Sequence, residues 1–156
     1  MEIKIIDAKR EHVNEILKLH LALTDYYCRF EKYYLPSSRQ SRLIRKEIRE
    51  NMKDRKVRVL LALHNGVVVR MMVVKLKKPE RYLKGKLMGK ISVAFIDEKY
   101  RGKGVGRLLF REAIKWFKKH KIKYVRLTVH SKNKIGLSAW TKYGFREFTK
   151  DMKLDL

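Results

Sequence analysis

The stretch Tyr100-Arg101-Gly102-Lys103-Gly104-Val105-Gly106-Arg107-Leu108-Leu109 (YRGKGVGRLL) decides how this chain is read. The chain has eight glycines, and three of them fall here, interleaved with Arg101, Lys103 and Arg107. Upstream, KISVAFI alternates and is rich in β-branched residues, so it reads as a strand. Downstream, Val105, Leu108, Leu109, Ala113, Trp116 and Phe117 recur at helical spacing, so a helix starts near Gly104. The first amides of such a helix have no internal acceptor, and the helix dipole makes that end partly positive. Glycines let phosphate oxygens approach the backbone without meeting a Cβ. Strand, glycine turn and helix N-terminus together form an anion site; the plain alternative is a tight turn before a helix. The common nucleotide patterns fit poorly. GxxxxGK followed by Ser or Thr is absent, and the glycines are spaced GxGxG, not GxGxxG.

Working outward, residues 2–6 (EIKII) read as a strand, and Asp7 is a candidate cap for a helix carrying Val13, Ile16, Leu17, His20 and Leu21 on one face. A second helix starts near Ser38, with Leu43, Ile44, Ile48 and Met52 in a stripe and basic residues on its other faces. In KVRVLLALHNGVVVRMMVVKL, alternation on either side of Asn65-Gly66 marks a β-hairpin. Residues 122–129 (IKYVRLTV) read as a strand, 133–143 as a short helix, and Phe145 onward as a last strand. The order is β-α-α-β-β-β-α-β-α-β: an α/β (α+β) fold whose mixed, mostly antiparallel sheet has helices on both faces.

Length and the lack of linkers or repeats suit one domain over residues 1–156. Cys28 is the only cysteine, so no internal disulfide forms, and a cytoplasmic location fits. The histidines and Cys28 make no metal-ligand cluster, so no metal is expected. The N-terminus lacks the apolar core of a signal peptide, and no run is long enough to span a bilayer, so no membrane association is expected. Against 16 acidic residues stand 40 Lys and Arg, a formal net charge of +24. Such a surplus attracts phosphates, nucleic acid or acidic proteins. The bland alternative is a lysine-rich charged surface of the heat-adapted kind.

Arg101-x-x-Gly104-x-Gly106 resembles the Gln/Arg-x-x-Gly-x-Gly/Ala motif of the GNAT N-acetyltransferase superfamily. The strand KISVAFI before it, Asn133 after LTVHSK, and Tyr143-Gly144-Phe145 are similar to that family's features over about residues 89–146. The N-terminal half agrees in element order. The resemblance implies acetyl-CoA as cosubstrate, with its diphosphate held by backbone amides across Arg101, Gly102, Lys103, Gly104, Val105, Gly106 and Arg107. It implies a strand splayed from its neighbour at Ala94, Phe95 and Ile96, whose free backbone groups take the pantetheine arm and the thioester carbonyl, the latter as an oxyanion donor. Asn133 and Gly136 would flank that arm; a helix N-cap is the ordinary role for Asn133.

The catalytic positions depart from the family pattern. The family often has a Tyr four residues before the Gly of Gly-Phe, as donor of a proton to sulfur; here Trp140 stands there, and an indole donates only a hydrogen bond. Tyr143, one turn on, is a candidate substitute acid, and its ordinary reading is packing against the sheet. The family's base positions on the strand hold Ser92 and Lys90; Ser92 could hold a water. His130 is the titratable candidate, Asp97 and Glu98 are placed on the loop beyond the thioester, and the field of a basic protein lowers the pKa of a bound amine. Tyr26, Tyr27, Phe30, Tyr33 and Tyr34 are candidates for the acceptor wall, or else core packing at a helix end.

The expectation is transfer of an acetyl group from acetyl-CoA to a primary amine, borne by an anionic or neutral molecule, a protein N-terminus or a lysine. The short segment after Phe145 suggests an open acceptor site, and a homodimer is compatible with the fold. Two rivals remain: a non-catalytic acyl-CoA-binding or regulatory domain on the same fold, and a basic nucleic-acid-binding protein.

Overall fold

The computed structural model describes residues 2–96, 100 and 102–156. Five strands, β1 (Lys4–Asp7), β2 (Val57–His64), β3 (Val67–Lys77), β4 (Met88–Ile96) and β5 (Val125–Arg126), form one sheet in the order β1-β2-β3-β4-β5 among the described residues. All neighbours are antiparallel except β4 and β5, which run parallel. The helices are α1 (Val13–Cys28), α2 (Ser41–Asn51), α3 (Val105–Lys119) and α4 (Lys134–Lys142). This is the expected mixed sheet with helices on both faces.

Strand alternation sorts side chains into two cores. Val59, Leu61, Met71 and Val73 face α1 and α2, against Ile16, Leu17, Ile44 and Ile48. Leu60, Ala62, Met72, Val74 and Ile91 face α3 and α4, against Val105, Leu109, Ala113 and Phe117. The β2–β3 hairpin turns at Asn65 (φ 50°) and Gly66 (φ 78°), the two positive-φ positions of a type I′ turn. Two register shifts shape the sheet. Ala62 pairs with Arg70 and Leu63 with Val68, so Val69 is extra in β3; Val73 pairs with Val93 and Val74 with Ile91, so Ser92 is extra in β4.

Four expectations need correction. Asp7 does not cap α1: it ends β1 and takes a two-pronged ion pair from Arg58 on β2. The helix begins at Val13, after a short 3-10 turn at Arg10–His12. α2 starts at Ser41, not Ser38, because Ser37–Arg39 form another such turn, and the Ser37 N–H is tied to the Asp25 carboxylate at 2.9 Å. That bond holds the Asp25 carboxyl below its ordinary range. The strand expected over 122–129 is confined to Val125–Arg126. No strand forms after Phe145, since a two-residue β5 offers little ladder to pair with. Side chains tie that segment down instead: Arg126 lies 5.0 Å over the Phe148 ring, and Lys153 reaches Glu31 at 2.9 Å.

Gly89 of β4 faces Phe117 of α3 at close range. A Cβ there would lie 2.8 Å from Phe117 Cε1, and Phe117 is itself buried at the core centre. Gly89→Ala should therefore cost about 1–3 kcal/mol through overpacking, read as a fall in Tm of roughly 2–12 °C. An unchanged melting temperature would mean that α3 is not seated on β4 as described.

Candidate active site

The site begins where ladder pairing stops. β4 and β5 pair only at Gly89↔Val125 and Lys90↔Arg126. β4 continues to Ile96, held on its other side by β3 at Met72↔Ala94, Met71↔Phe95 and Arg70↔Ile96. Its β5-side edge is therefore unpaired from Ile91 to Ile96, the open side of a wedge between the two strands. Ala94 packs towards the α3 core and Phe95 towards the α1 core. The closed end of the wedge is fastened by Arg126, whose Nη1 lies 2.7 Å from each Glu80 carboxylate oxygen.

The open end leads to the glycine turn. Gly102 (φ 73°) and Gly104 (φ 76°) are both left-handed, and a Cβ on either would meet no protein atom within 4 Å. Gly104 is the N-cap of α3 and supplies no side chain to the first amides. Lys103 lies 5.5 Å over the Tyr100 ring, and Tyr100 Oη is 3.2 Å from His64 Nδ1, so the turn leans on the end of β2. Val105 is fully buried, whereas Arg107 is exposed and donates its N–H to Gly104 O. An exposed cradle of left-handed glycines at a bare helix N-terminus suits a diphosphate. Arg101, Asp97 and Glu98 lie outside the described residues, and of Ile96 only the backbone is described.

Gly106 and Gly136 stand differently from Gly104. A Cβ on Gly106 would fall 2.2 Å from Arg70 Nη1, and one on Gly136 would fall 2.6 Å from Asn133 Nδ2. Protein side chains occupy both spaces. Asn133 is buried as the N-cap of α4, its Oδ1 accepting from the Gly136 N–H at 2.9 Å and the Tyr26 hydroxyl at 3.2 Å.

The candidate acids and bases separate. Trp140 sits in an aromatic cluster with Phe110, Tyr143 and Phe145. Tyr143 stacks flat on Phe110, with ring centroids 4.9 Å apart and planes 11° apart. Ser92, at the β4 bulge, gives its hydroxyl proton to Val73 O at 3.3 Å. His130 Nδ1 faces the Lys132 N–H at 3.1 Å, so that nitrogen accepts and the neutral ring carries its proton on Nε2. Its ring stacks on Phe30 at 5.4 Å and meets Tyr34 edge-on.

Those rings belong to one aromatic cluster of the 26–34 segment. Tyr26, Tyr27 and Phe30 interlock edge-to-face, and Tyr34 tilts against Tyr27. Burial pushes the Tyr27 phenol up, so it stays neutral. Tyr33 is not part of this cluster; it is 60% exposed and lies under Lys32 and Lys153. Sequence reasoning missed Arg70. Its signal was a lone cation inside the apolar run VVVRMMVV.

No helix among the described residues is long and apolar enough to cross a membrane, and no group of His, Cys, Asp or Glu among them could hold a metal ion. No curated protein sequence matches the chain. Solved structures do. A mutant of the BH1408 protein from Bacillus halodurans superposes with a TM-score of 0.82 at 21% identity, covering 98% of this chain and 99% of that one. The aminoglycoside N-acetyltransferase AAC(6')-Iy, in complex with CoA, gives 0.78 at 12% identity over 99% and 95% of the two chains. AAC(6')-Ih from Acinetobacter baumannii, an aminoglycoside 6'-N-acetyltransferase, gives 0.77 at 14% identity over 99% and 98%. At these identities the likeness is one of fold. The profile of the acetyltransferase (GNAT) family matches residues 20–145. The chain belongs to that family: it is an N-acetyltransferase whose cosubstrate is acetyl-CoA.

Proposed function

We propose that the protein transfers the acetyl group directly to a primary amine in the wedge between β4 and β5. One observation carries this reading: the β4 edge loses its ladder partner beyond Lys90, and the next helix, α3, has a bare N-terminus at Gly104. Buried backbone groups need partners, and a pantetheine arm with its amides supplies them in strand-like order. Amides of the Gly102–Gly106 turn would hold the diphosphate, and β4 amides near Ala94 and Phe95 would face the thioester carbonyl as oxyanion donors. Acetyl-CoA brings the acetyl group and departs as the thiol. In the same reading Tyr143 holds the proton destined for sulfur, and Trp140 packs its ring in place.

The acceptor enters past Tyr26, Tyr27, Phe30 and Tyr34. His130 is set aside as the base, because its Nδ1 lone pair is taken by the Lys132 amide. Ser92 is positioned to orient a water rather than remove a proton. The amine therefore arrives neutral, helped by a net charge of +24 that disfavours a bound ammonium. An α-amino group, titrating at about 8, meets this condition more readily than a lysine at about 10.4. The surplus charge also favours an acceptor carried on an anionic molecule or protein.

Three measurements test the reading. Gly104→Glu puts a carboxylate into the open cradle. At about 4 Å and an effective dielectric of about 20 the repulsion is about 4 kcal/mol, so CoA affinity by calorimetry should fall about 1000-fold. Gly104→Ala carries only the left-handed penalty of about 1–2 kcal/mol in stability and should still bind. Unchanged affinity in Gly104→Glu would refute the placement. Tyr143→Phe should lower kcat by about 10²–10⁴-fold with CoA affinity preserved; full activity removes Tyr143 as the acid. Finally, kcat/KM should rise with pH as the free-amine fraction rises, and the midpoint should follow the pKa of each acceptor supplied. A midpoint fixed across acceptors would instead reveal a base belonging to the enzyme.

A further inference from the structure

Arg70 is the one cation set into the apolar centre of β3. Alternation with Met72 and Val74 puts it on the α3 side, opposite Ile96. Its guanidinium lies against Gly106, with Nη1 2.2 Å from where a Cβ would be. Because Cα–Cβ bonds tilt towards the helix N-terminus, the charge sits beneath the opening turn of α3. Arg70 Nε is fully buried and has no hydrogen-bond partner, and among the described residues no carboxylate pairs with the side chain. Burial holds this guanidinium below its ordinary range.

Every element of this placement is unfavourable without a ligand. A half-buried guanidinium whose Nε is sealed from solvent without a partner is costly. A cation under the positive end of a helix is repelled by the dipole. Lys103 and Arg107 stand on the same turn and add like charge. An anion at the α3 N-terminus reverses all three effects at once.

We propose that Arg70 is a binding residue for the diphosphate of the cofactor, a half-buried counter-charge approaching the glycine turn from the sheet side while the backbone amides hold it from the helix side. This rests on the functional reading above. It also gives Gly106 a distinct task, since any side chain there would displace the guanidinium.

The test measures CoA binding and melting temperature for the wild type, Arg70→Met and Arg70→Lys. Arg70→Met keeps the length and removes the charge. Affinity for CoA should fall about 10- to 100-fold, as for loss of a charge-assisted hydrogen bond, with KM for acetyl-CoA rising and kcat little changed. Without ligand, Arg70→Met should melt at or above the wild-type temperature, because an uncompensated charge has gone. Arg70→Lys should keep affinity within about tenfold of wild type. Dephospho-CoA, which retains the diphosphate and lacks the 3'-phosphate, should show the same loss in Arg70→Met. Four outcomes would overturn the proposal: wild-type CoA affinity in Arg70→Met; a lower melting temperature or misfolding in the ligand-free variant, which would make Arg70 a structural residue; Arg70→Lys as weak as Arg70→Met; and a loss confined to CoA, which would assign Arg70 to the 3'-phosphate. A wild type that binds no CoA would sink the functional reading itself, whereas a wild type that binds with an Arg70→Met that binds equally would sink this inference alone.

Discussion

Hydrogen-bond satisfaction along β4 governs this molecule. Towards β3 the strand is paired from Met88 to Ile96, so it is rigidly placed; towards β5 it is paired at only Gly89 and Lys90. The asymmetry follows from the neighbours. β3 is eleven residues of almost continuous apolar sequence, whereas β5 is two residues long. Parallel strands also need a crossover, and here α3 supplies it, seated against β4 through Gly89 and Phe117. The same helix that closes the parallel pair thus presents its bare N-terminus to the open edge. The exposed glycine turn and the unpaired strand edge are consequences of one piece of packing.

Much of this was legible because its signals are local. Asn65-Gly66 dictates a turn that only positive-φ residues can make, and the helical stripe from Val105 to Phe117 fixes α3. Other features were decided by partners distant in sequence. Asp7 looked like a helix cap, but Arg58 on the adjacent strand competes for its carboxylate with two hydrogen bonds. The segment after Phe145 alternates like a strand, yet a strand needs an edge, and the sequence does not reveal that β5 is so short. Gly106 and Gly136 looked like places for close approach by a ligand. In each case a protein side chain, Arg70 or Asn133, fills the space, and nothing adjacent in sequence to Gly106 announces that.

The aromatic segment shows the same limit from another side. Four of its five rings pack into one cluster. Tyr33 faces outward because the chain turns after Phe30, and it meets Lys153 of the C-terminal segment instead. The partner that completes the cluster is His130, 100 residues further on. Its ring stacks on Phe30 with its Nδ1 turned to the backbone, so a residue suited to proton chemistry serves as a flat hydrophobic surface.

The bond from Tyr26 to Asn133 joins α1 to the first turn of α4 across 107 positions. The same Asn133 oxygen also caps the helix that carries Trp140. The aromatic 26–34 segment is therefore not a detachable module. Grafting the 26–34 segment from a relative to alter selectivity would remove a ligand from that oxygen and loosen the end of α4. Engineering the two sides independently would fail for this reason, and positions 26 and 133 must be exchanged as a pair.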